Sequence, residues 1–121
     1  MVKLDEFTRQ YVETALWSSN DDHDQPLDKN YGHEDIDDAT LAQMIADCAA
    51  FQFTHGDRMD RDRNQDRSDG GHDFWLTRNG HGAGFWDGDW GKHDGDILSG
   101  ASKQFGEVNL YVTDAGDISA L

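Results

Sequence analysis

The stretch from Gly71 to Asp87, GHDFWLTRNGHGAGFWD, constrains the fold of this chain more than any other. Phe74 and Leu76 alternate with Trp75 and Thr77, the period-2 pattern of a strand with two unlike faces. Asn79-Gly80 follows, and both residues tolerate positive φ, so the pair suits a tight hairpin turn. The expectation is a strand at about Asp73–Arg78, a glycine-rich turn, and a second strand at about Ala83–Asp87. Glycines, aromatics, histidines and aspartates are mixed here in a way that neither a core strand nor a generic loop requires, which marks a specialised surface.

Around this hairpin the chain reads as helices and one further strand pair. Asp5 can cap a first helix running to about Trp17, with Phe7, Tyr11, Ala15 and Leu16 on one face. Ser18 to Asp38 holds the only proline and many turn formers, and its length makes it suspect as a mere linker. Asp37 or Asp38 then caps a second helix to about Phe53, with Gly56 as a stop. Asp57 to Gly70 interleaves arginines with aspartates; a polar, mobile loop is the favoured expectation, and an exposed helical extension with charge pairing is the alternative. A glycine-rich turn from Gly88 to Gly95 leads to a third helix at about Asp96–Phe105, ended by Gly106. Val108, Leu110 and Val112 alternate with polar or aromatic neighbours as a strand. Asp114 to Asp117 turns it into a short last strand. This order implies an α+β fold in one domain spanning residues 1–121, a small antiparallel sheet packed against about three helices. Leu41, Met44, Cys48, Phe74, Leu76, Leu110 and Val112 are the expected core.

Upstream of the glycine–aromatic stretch lie Trp17-Ser18-Ser19, Pro26-Leu27-Asp28, Asn30-Tyr31 and Asp47-Cys48. Together with GHDFWLTRNGHGAGFWD these pieces resemble the signature of a family of small proteins encoded mostly by bacteriophages and prophages. The resemblance covers nearly the whole chain except Gly56–Gly70. It implies phage origin and no mechanism, because the family has no settled biochemical function.

The formal net charge is −15 on 121 residues. The acid is almost all aspartate, and basic residues are few. Such a field repels nucleic acid and membrane surfaces and attracts basic protein surfaces. Bulk acidity for solubility or salt tolerance is one reading. The other is a fixed array of carboxylates, held close to the backbone on short stems, that imitates phosphates. No run of apolar residues is long enough to span a bilayer, and MVKLDEFTRQ lacks a secretory core. The single Cys48 cannot form an intramolecular disulfide and fits a reducing cytoplasm. For a phage protein that is the host cytoplasm.

Catalytic and metal chemistry find little support. His72, Asp73, His81, Asp87, Asp89, His93 and Asp94 include good ligand types, but no HExxH or paired CxxC spacing is present. Asp62, Asn64, Asp66 and Asp73 match part of a calcium loop. Arg67 occupies the position that needs glycine, and aspartate replaces the usual glutamate at the end. Cys48 sits on an apolar helical stripe, where a buried thiol is inert. Gly80-His81-Gly82-Ala83-Gly84 enters a strand, whereas a phosphate cradle opens a helix. No cofactor and no metal are therefore expected.

Arg78, Asn79 and His81 then form the best local candidate for function, a fork donor, an amide and an imidazole at a hairpin tip beside Trp90. The alternative is that Arg78 pairs with an aspartate and the aromatics fill the core. The leading expectation is a phage accessory protein that binds and inhibits a basic, nucleic-acid-binding host protein as an acidic DNA mimic. Asp21, Asp22, Asp24, Asp28, Asp35, Asp37 and Asp38 would form one part of its contact surface. Asp87, Asp89, Asp94 and Asp96 would form another on the same side of the fold, joined by Arg78, Asn79, His81 and Trp90. It would not bind nucleic acid or membrane itself. Two alternatives stay open: a small enzyme or ligand-binding protein using the histidines, Arg78 and aspartates of residues 71–94, and a virion or assembly component.

Overall fold

A computed structural model describes residues 3–81, 83–87 and 89–121. Met1 and Val2, at the start of the segment read above for a leader, lie outside the described residues. So do Gly82 and Gly88, which the sequence places in glycine-rich turns. The described elements are helices α1 (Glu6–Ser18), α2 (Asp38–Asp60), α3 (Arg67–Arg78) and α4 (Lys92–Gln104), then strands β1 (Leu110–Val112) and β2 (Ile118–Ala120). The fold is α+β. Its antiparallel sheet has only two strands, Leu110 facing Ala120 and Val112 facing Ile118, and the described helices number four rather than three.

The first two helices begin where their aspartates predict. Asp5 accepts the Thr8 N–H at 2.8 Å and Asp37 accepts the Thr40 N–H at 2.7 Å. From α1, Phe7, Tyr11, Val12, Ala15 and Leu16 are buried; from α2, Met44, Cys48, Phe51 and Met59 are. The second helix does not stop at Gly56. It runs 23 residues with Gly56 inside it, facing the Arg67 guanidinium, where a Cβ would lie 2.7 Å from Nη2. That glycine makes room for a side chain and does not end the helix. Arg67 in turn grips Asp60 with both arms of its fork, at 2.7 and 2.9 Å. The expected mobile loop over 57–70 is thus the end of α2, a short turn and the start of α3.

The largest correction concerns the hairpin. Asp73–Arg78 is not a strand but the second half of α3, and Phe85–Asp87 is a single 3-10 turn. A capping box starts α3: Asp66 accepts from the Asp69 N–H, and Asp69 accepts from the Asp66 N–H. Residues 73–78 are all buried, so no polar stripe remains to reveal a period of 3.6. Alternating aromatic and aliphatic residues then mimic a strand. Gly71 lets α3 press on α1, since a Cβ there would come within 2.0 Å of the Phe7 carbonyl oxygen.

The core is aromatic. Phe51 stacks on Phe74 with ring centres 4.3 Å apart and on Phe85 at 5.7 Å. Cys48, Met44, Phe74, Leu76 and Leu110 are buried, while Leu41 and Val112 are partly buried against the same cluster. The two-stranded sheet attaches through Ile118, which bridges to Ile36 and accepts the Asp37 N–H at 2.8 Å. No described helix is long and apolar enough to cross a membrane.

Candidate functional site

Three polar residues of the glycine–aromatic stretch, Asp73, Thr77 and Arg78, are buried. Arg78 is buried at the end of α3. It donates from Nε to the Gly106 carbonyl (2.7 Å) and from Nη2 to the Phe105 carbonyl (2.8 Å). Nη1 donates to Asp47 (2.9 Å) and to the Tyr11 hydroxyl (3.1 Å). Its guanidinium also lies 5.5 and 5.6 Å from the ring centres of Phe74 and Phe105. A cation thus sits where α4 ends and carbonyls lack helical partners. Burial pushes the Tyr11 hydroxyl well above its ordinary range, so it stays neutral beside Arg78.

The neighbours of Arg78 are also engaged. Asn79 donates to the Trp75 carbonyl (2.9 Å) and accepts the Val108 N–H (2.8 Å), tying α3 to the approach of β1. Trp90 is buried and donates to Asp73 at 2.7 Å, while His72 Nδ1 lies 2.8 Å from the other Asp73 oxygen. Burial, the largest influence, raises the Asp73 carboxyl above its ordinary range despite these two partners. Arg78 and Trp90 are therefore not on a contact surface, because their charge and indole N–H are satisfied inside the fold. His81 remains exposed and, with Asn79, lines a polar cleft of about 230 Å³ whose far wall includes Ser19 and Glu107.

The candidate ligand clusters separate in space. Among the described residues no group of three or more His, Cys, Asp or Glu side chains is placed to hold a metal ion. The calcium-like fragment is local structure: Asp62 accepts the Asn64 N–H, Asp66 caps α3, and Asp73 is inside the core. Cys48 is buried, and burial pushes its thiol far above the ordinary range, so no thiolate forms.

The two acidic segments differ. In Ser18–Asp38, Asp21 accepts the His23 and Gln25 N–H groups in a tight turn, at 2.8 and 3.0 Å. Asp35 accepts the Gly32 N–H (2.8 Å) and Asp37 caps α2. Those bonds hold the Asp21 and Asp37 carboxyls below their ordinary range; the Gln25 N–H leads at Asp21 and the Thr40 side chain at Asp37. Asp22, Asp24, Asp28 and Asp38 have no ion pair among the described residues, and Glu34 meets only His33, at 3.7 Å. Lys29, the segment's one lysine, donates to Gln25. Glu34, Asp35, Asp37 and Asp38 line an open groove of about 540 Å³ around Ile36, completed by the Ala115–Asp117 turn. Asp117 joins this groove because the Ile36–Ile118 bridge and the Asp37 N–H to Ile118 carbonyl bond bring its turn here, a contact that local sequence does not reveal.

In the second segment Asp94 and Asp96 form ion pairs, whereas Asp87 and Asp89 have none among the described residues. Asp94 pairs with Arg58 (3.0 Å) and Arg61 (3.1 Å), and Asp96 pairs with Lys92 (3.3 Å). Asp87 accepts weakly from the N–H groups of Gly84 and Asp89. Arg58 is in the last turn of α2 and Asp37 is its N-cap, about 30 Å apart along the helix at 1.5 Å per residue. Asp94 therefore does not extend the groove lined by Glu34, Asp35, Asp37, Asp38 and Asp117, and the carboxylates of 21–38 are themselves divided, since Asp28 lines a different groove. No protein-family model, curated protein or solved structure matches the chain.

Proposed function

We propose that this chain is a phage accessory protein that binds a basic, nucleic-acid-binding protein of the host. Its carboxylates take the place of phosphates, so that the target loses access to DNA or RNA in the host cytoplasm. The observation that carries this reading is the groove where Glu34, Asp35, Asp37, Asp38 and Asp117 converge with no lysine or arginine lining it. Two of these carboxylates, Asp35 and Asp37, are fixed by backbone N–H groups, so part of the pattern is held before any partner arrives. Preformed charge reduces the ordering cost of association. The net charge of −15 supplies long-range attraction for a basic surface and repulsion for nucleic acid. The resemblance to phage and prophage proteins supplies the context of a host target. The charged face proposed here is the groove of Glu34, Asp35, Asp37 and Asp38 with Asp117, without Arg78 and Trp90.

The test is affinity capture from bacterial lysate at low and high salt, followed by competition with the purified captured protein. The expected result is a nucleic-acid-binding protein retained at low salt, released at high salt, and displaced from a DNA or RNA duplex by this chain. Capture that survives molar salt, or a captured protein that keeps its nucleic acid, overturns the reading.

A further inference from the structure

A second groove, of about 550 Å³, runs between α1 and the Asp28–His33 stretch. Its floor is apolar: Val12 and Leu16, both buried, with Leu4 beside them. Trp17 and Tyr31 supply aromatic walls. Trp17 keeps 43% of its surface exposed although its ring lies against His72, with centres 5.9 Å apart. The far wall is held in place. Leu27 is fully buried and donates its N–H to Ser19, Tyr31 donates to the Leu27 carbonyl, and Gly32 donates to Asp35. The chain's own hydrogen bonds thus fix this wall, as in largely pre-formed small-molecule sites.

The groove brings two cations, with Glu13 and Asp28, to the edge of its apolar floor. Arg58, Arg61, Arg67, Arg78 and Lys92 each pair with a carboxylate. Arg9 and Lys3 line the groove, and neither has an ion pair or side-chain hydrogen bond among the described residues. Glu13 lies one turn from Arg9 in α1 and also lines the groove, yet the two do not pair. Lys29, Arg63 and Lys103 also lack an ion pair among the described residues, but none of them lines this groove. In a chain of net charge −15, two unpaired cations beside an aromatic-walled apolar floor complement an anion with a flat hydrophobic body.

We propose that the groove between α1 and Asp28–His33 binds a small amphipathic monoanion, a fused or substituted aromatic ring bearing one carboxylate. The ring lies over Val12 and Leu16 between Trp17 and Tyr31, and the carboxylate meets Arg9 with Lys3 beside it. Glu13 and Asp28 on the walls, and the field of the whole chain, disfavour polyphosphates and other multiply charged anions. The volume falls in the range of roughly 300–1,000 Å³ typical of small-ligand pockets, so a free small molecule is the occupant. This site stands independently of the acidic groove.

The probe is 1-naphthoate, titrated into the whole chain with amide chemical shifts and tryptophan fluorescence as readouts. Neutral 1-naphthalenemethanol and cationic 1-naphthylmethylammonium serve as comparisons. Naphthoate is expected to perturb residues 9–17 and 28–33 and to bind about ten-fold tighter than the ammonium compound, the scale of one charge-assisted hydrogen bond. Arg9→Gln, at an exposed position, should remove that preference and leave the neutral alcohol unaffected, while Arg63→Gln should change nothing. Glu13→Gln provides a second check and should tighten naphthoate. Shifts outside the groove, equal affinity for anion and cation, or an Arg9→Gln variant that binds naphthoate unchanged would each overturn the site. So would no binding of any probe at millimolar concentration, or much tighter binding of a peptide ending in a tryptophan carboxylate.

Discussion

Gly71–Asp87 and Ser18–Asp38 both crowd polar side chains into a short span, but those side chains find their partners in different places. In the first, Arg78 meets Asp47, Tyr11 and two carbonyls, Asn79 joins α3 to the approach of β1, Asp73 holds Trp90, and Thr77 accepts the Phe85 N–H. In the second, carboxylates accept N–H groups from their own turns and still face water without a cation. A buried polar group satisfied by its own chain is not free for a ligand, because releasing it would strand its partners in a dry interior. A carboxylate that caps a turn at the surface keeps its charge and its outward lone pairs. Chemical variety in a segment therefore marks packing here, and monotony of charge marks the accessible face.

The sharpest way to break this contrast is Arg78→Ala. Removing one member of a buried ion pair leaves the other uncompensated, typically at about 3–5 kcal/mol. The side chains of Arg78 and Asp47 are 3% and 17% exposed, so a loss of that order in urea unfolding is expected. Arg78→Lys should recover little, because an ammonium cannot reach two carbonyls, a carboxylate and a hydroxyl at once. A loss below about 1 kcal/mol would return Arg78 to the surface. Gly71→Ala follows in size. Its Cβ would overlap the Phe7 carbonyl oxygen, so α1 and α3 must separate, at about 1–3 kcal/mol. Unchanged stability would show that the two helices are not pressed together.

The difference between the two segments also explains what could be read in advance. Helix starts at Asp5 and Asp37 were legible because an N-cap is a local interaction within three residues. The C-terminal strand pair was legible for the same reason: alternation and a turn lie within a dozen residues. The nature of residues 73–78 was not. A helix buried on every side loses the polar stripe that reveals its period, and Phe74-Trp75-Leu76-Thr77 then satisfies a strand pattern equally well. Gly56 and Gly71 were opaque because their reason is a neighbour distant in sequence, Arg67 in one case and Phe7 in the other. For the candidate site, the density of charge in 21–38 was plain. The participation of Asp117 and the neutralisation of Asp94 by Arg58 and Arg61 depend on tertiary approach.

Asp73 offers a pH test of the inward-facing segment. Burial raises its carboxyl above the ordinary value of 3.8. The folded chain therefore holds that proton more readily than the unfolded chain. Its stabilising effect is complete below the unfolded value and is lost as pH rises through the raised folded value. Asp73→Asn removes this dependence while keeping an acceptor for Trp90. Between about pH 7 and about pH 4, the wild type should gain stability relative to Asp73→Asn. Asp5, Asp21, Asp37, Asp60 and Asp66, all held below the ordinary range, act in the opposite direction in both proteins and cancel in the comparison. Parallel unfolding midpoints across that range would show that Asp73 is as well solvated as a surface carboxylate.

The smallest effect on folding and the largest contrast in binding should come from the acidic groove itself. Glu34→Gln with Asp38→Asn removes two charges from exposed side chains that neither cap a helix nor pair with lysine or arginine. Stability should stay within about 0.5 kcal/mol, the usual range for surface changes. Asp94→Asn, at the other end of α2, separates the two acidic regions. It leaves Arg58 and Arg61 without their carboxylate and should cost about 0.2–1 kcal/mol, as for a partly exposed pair. Against a basic partner the order should reverse. The double change should slow association and flatten its salt dependence, because charge facing the partner acts on encounter. Asp94→Asn should leave the association rate nearly unchanged, since Asp94 is already neutralised and lies about 30 Å from the groove. Screening over about 8 Å at physiological ionic strength isolates the two ends of the molecule from each other. Stopped-flow association at several salt concentrations measures both variants. Equal slowing by the two would mean that total charge alone governs binding, and that the convergence of Glu34, Asp35, Asp37, Asp38 and Asp117 carries no recognition.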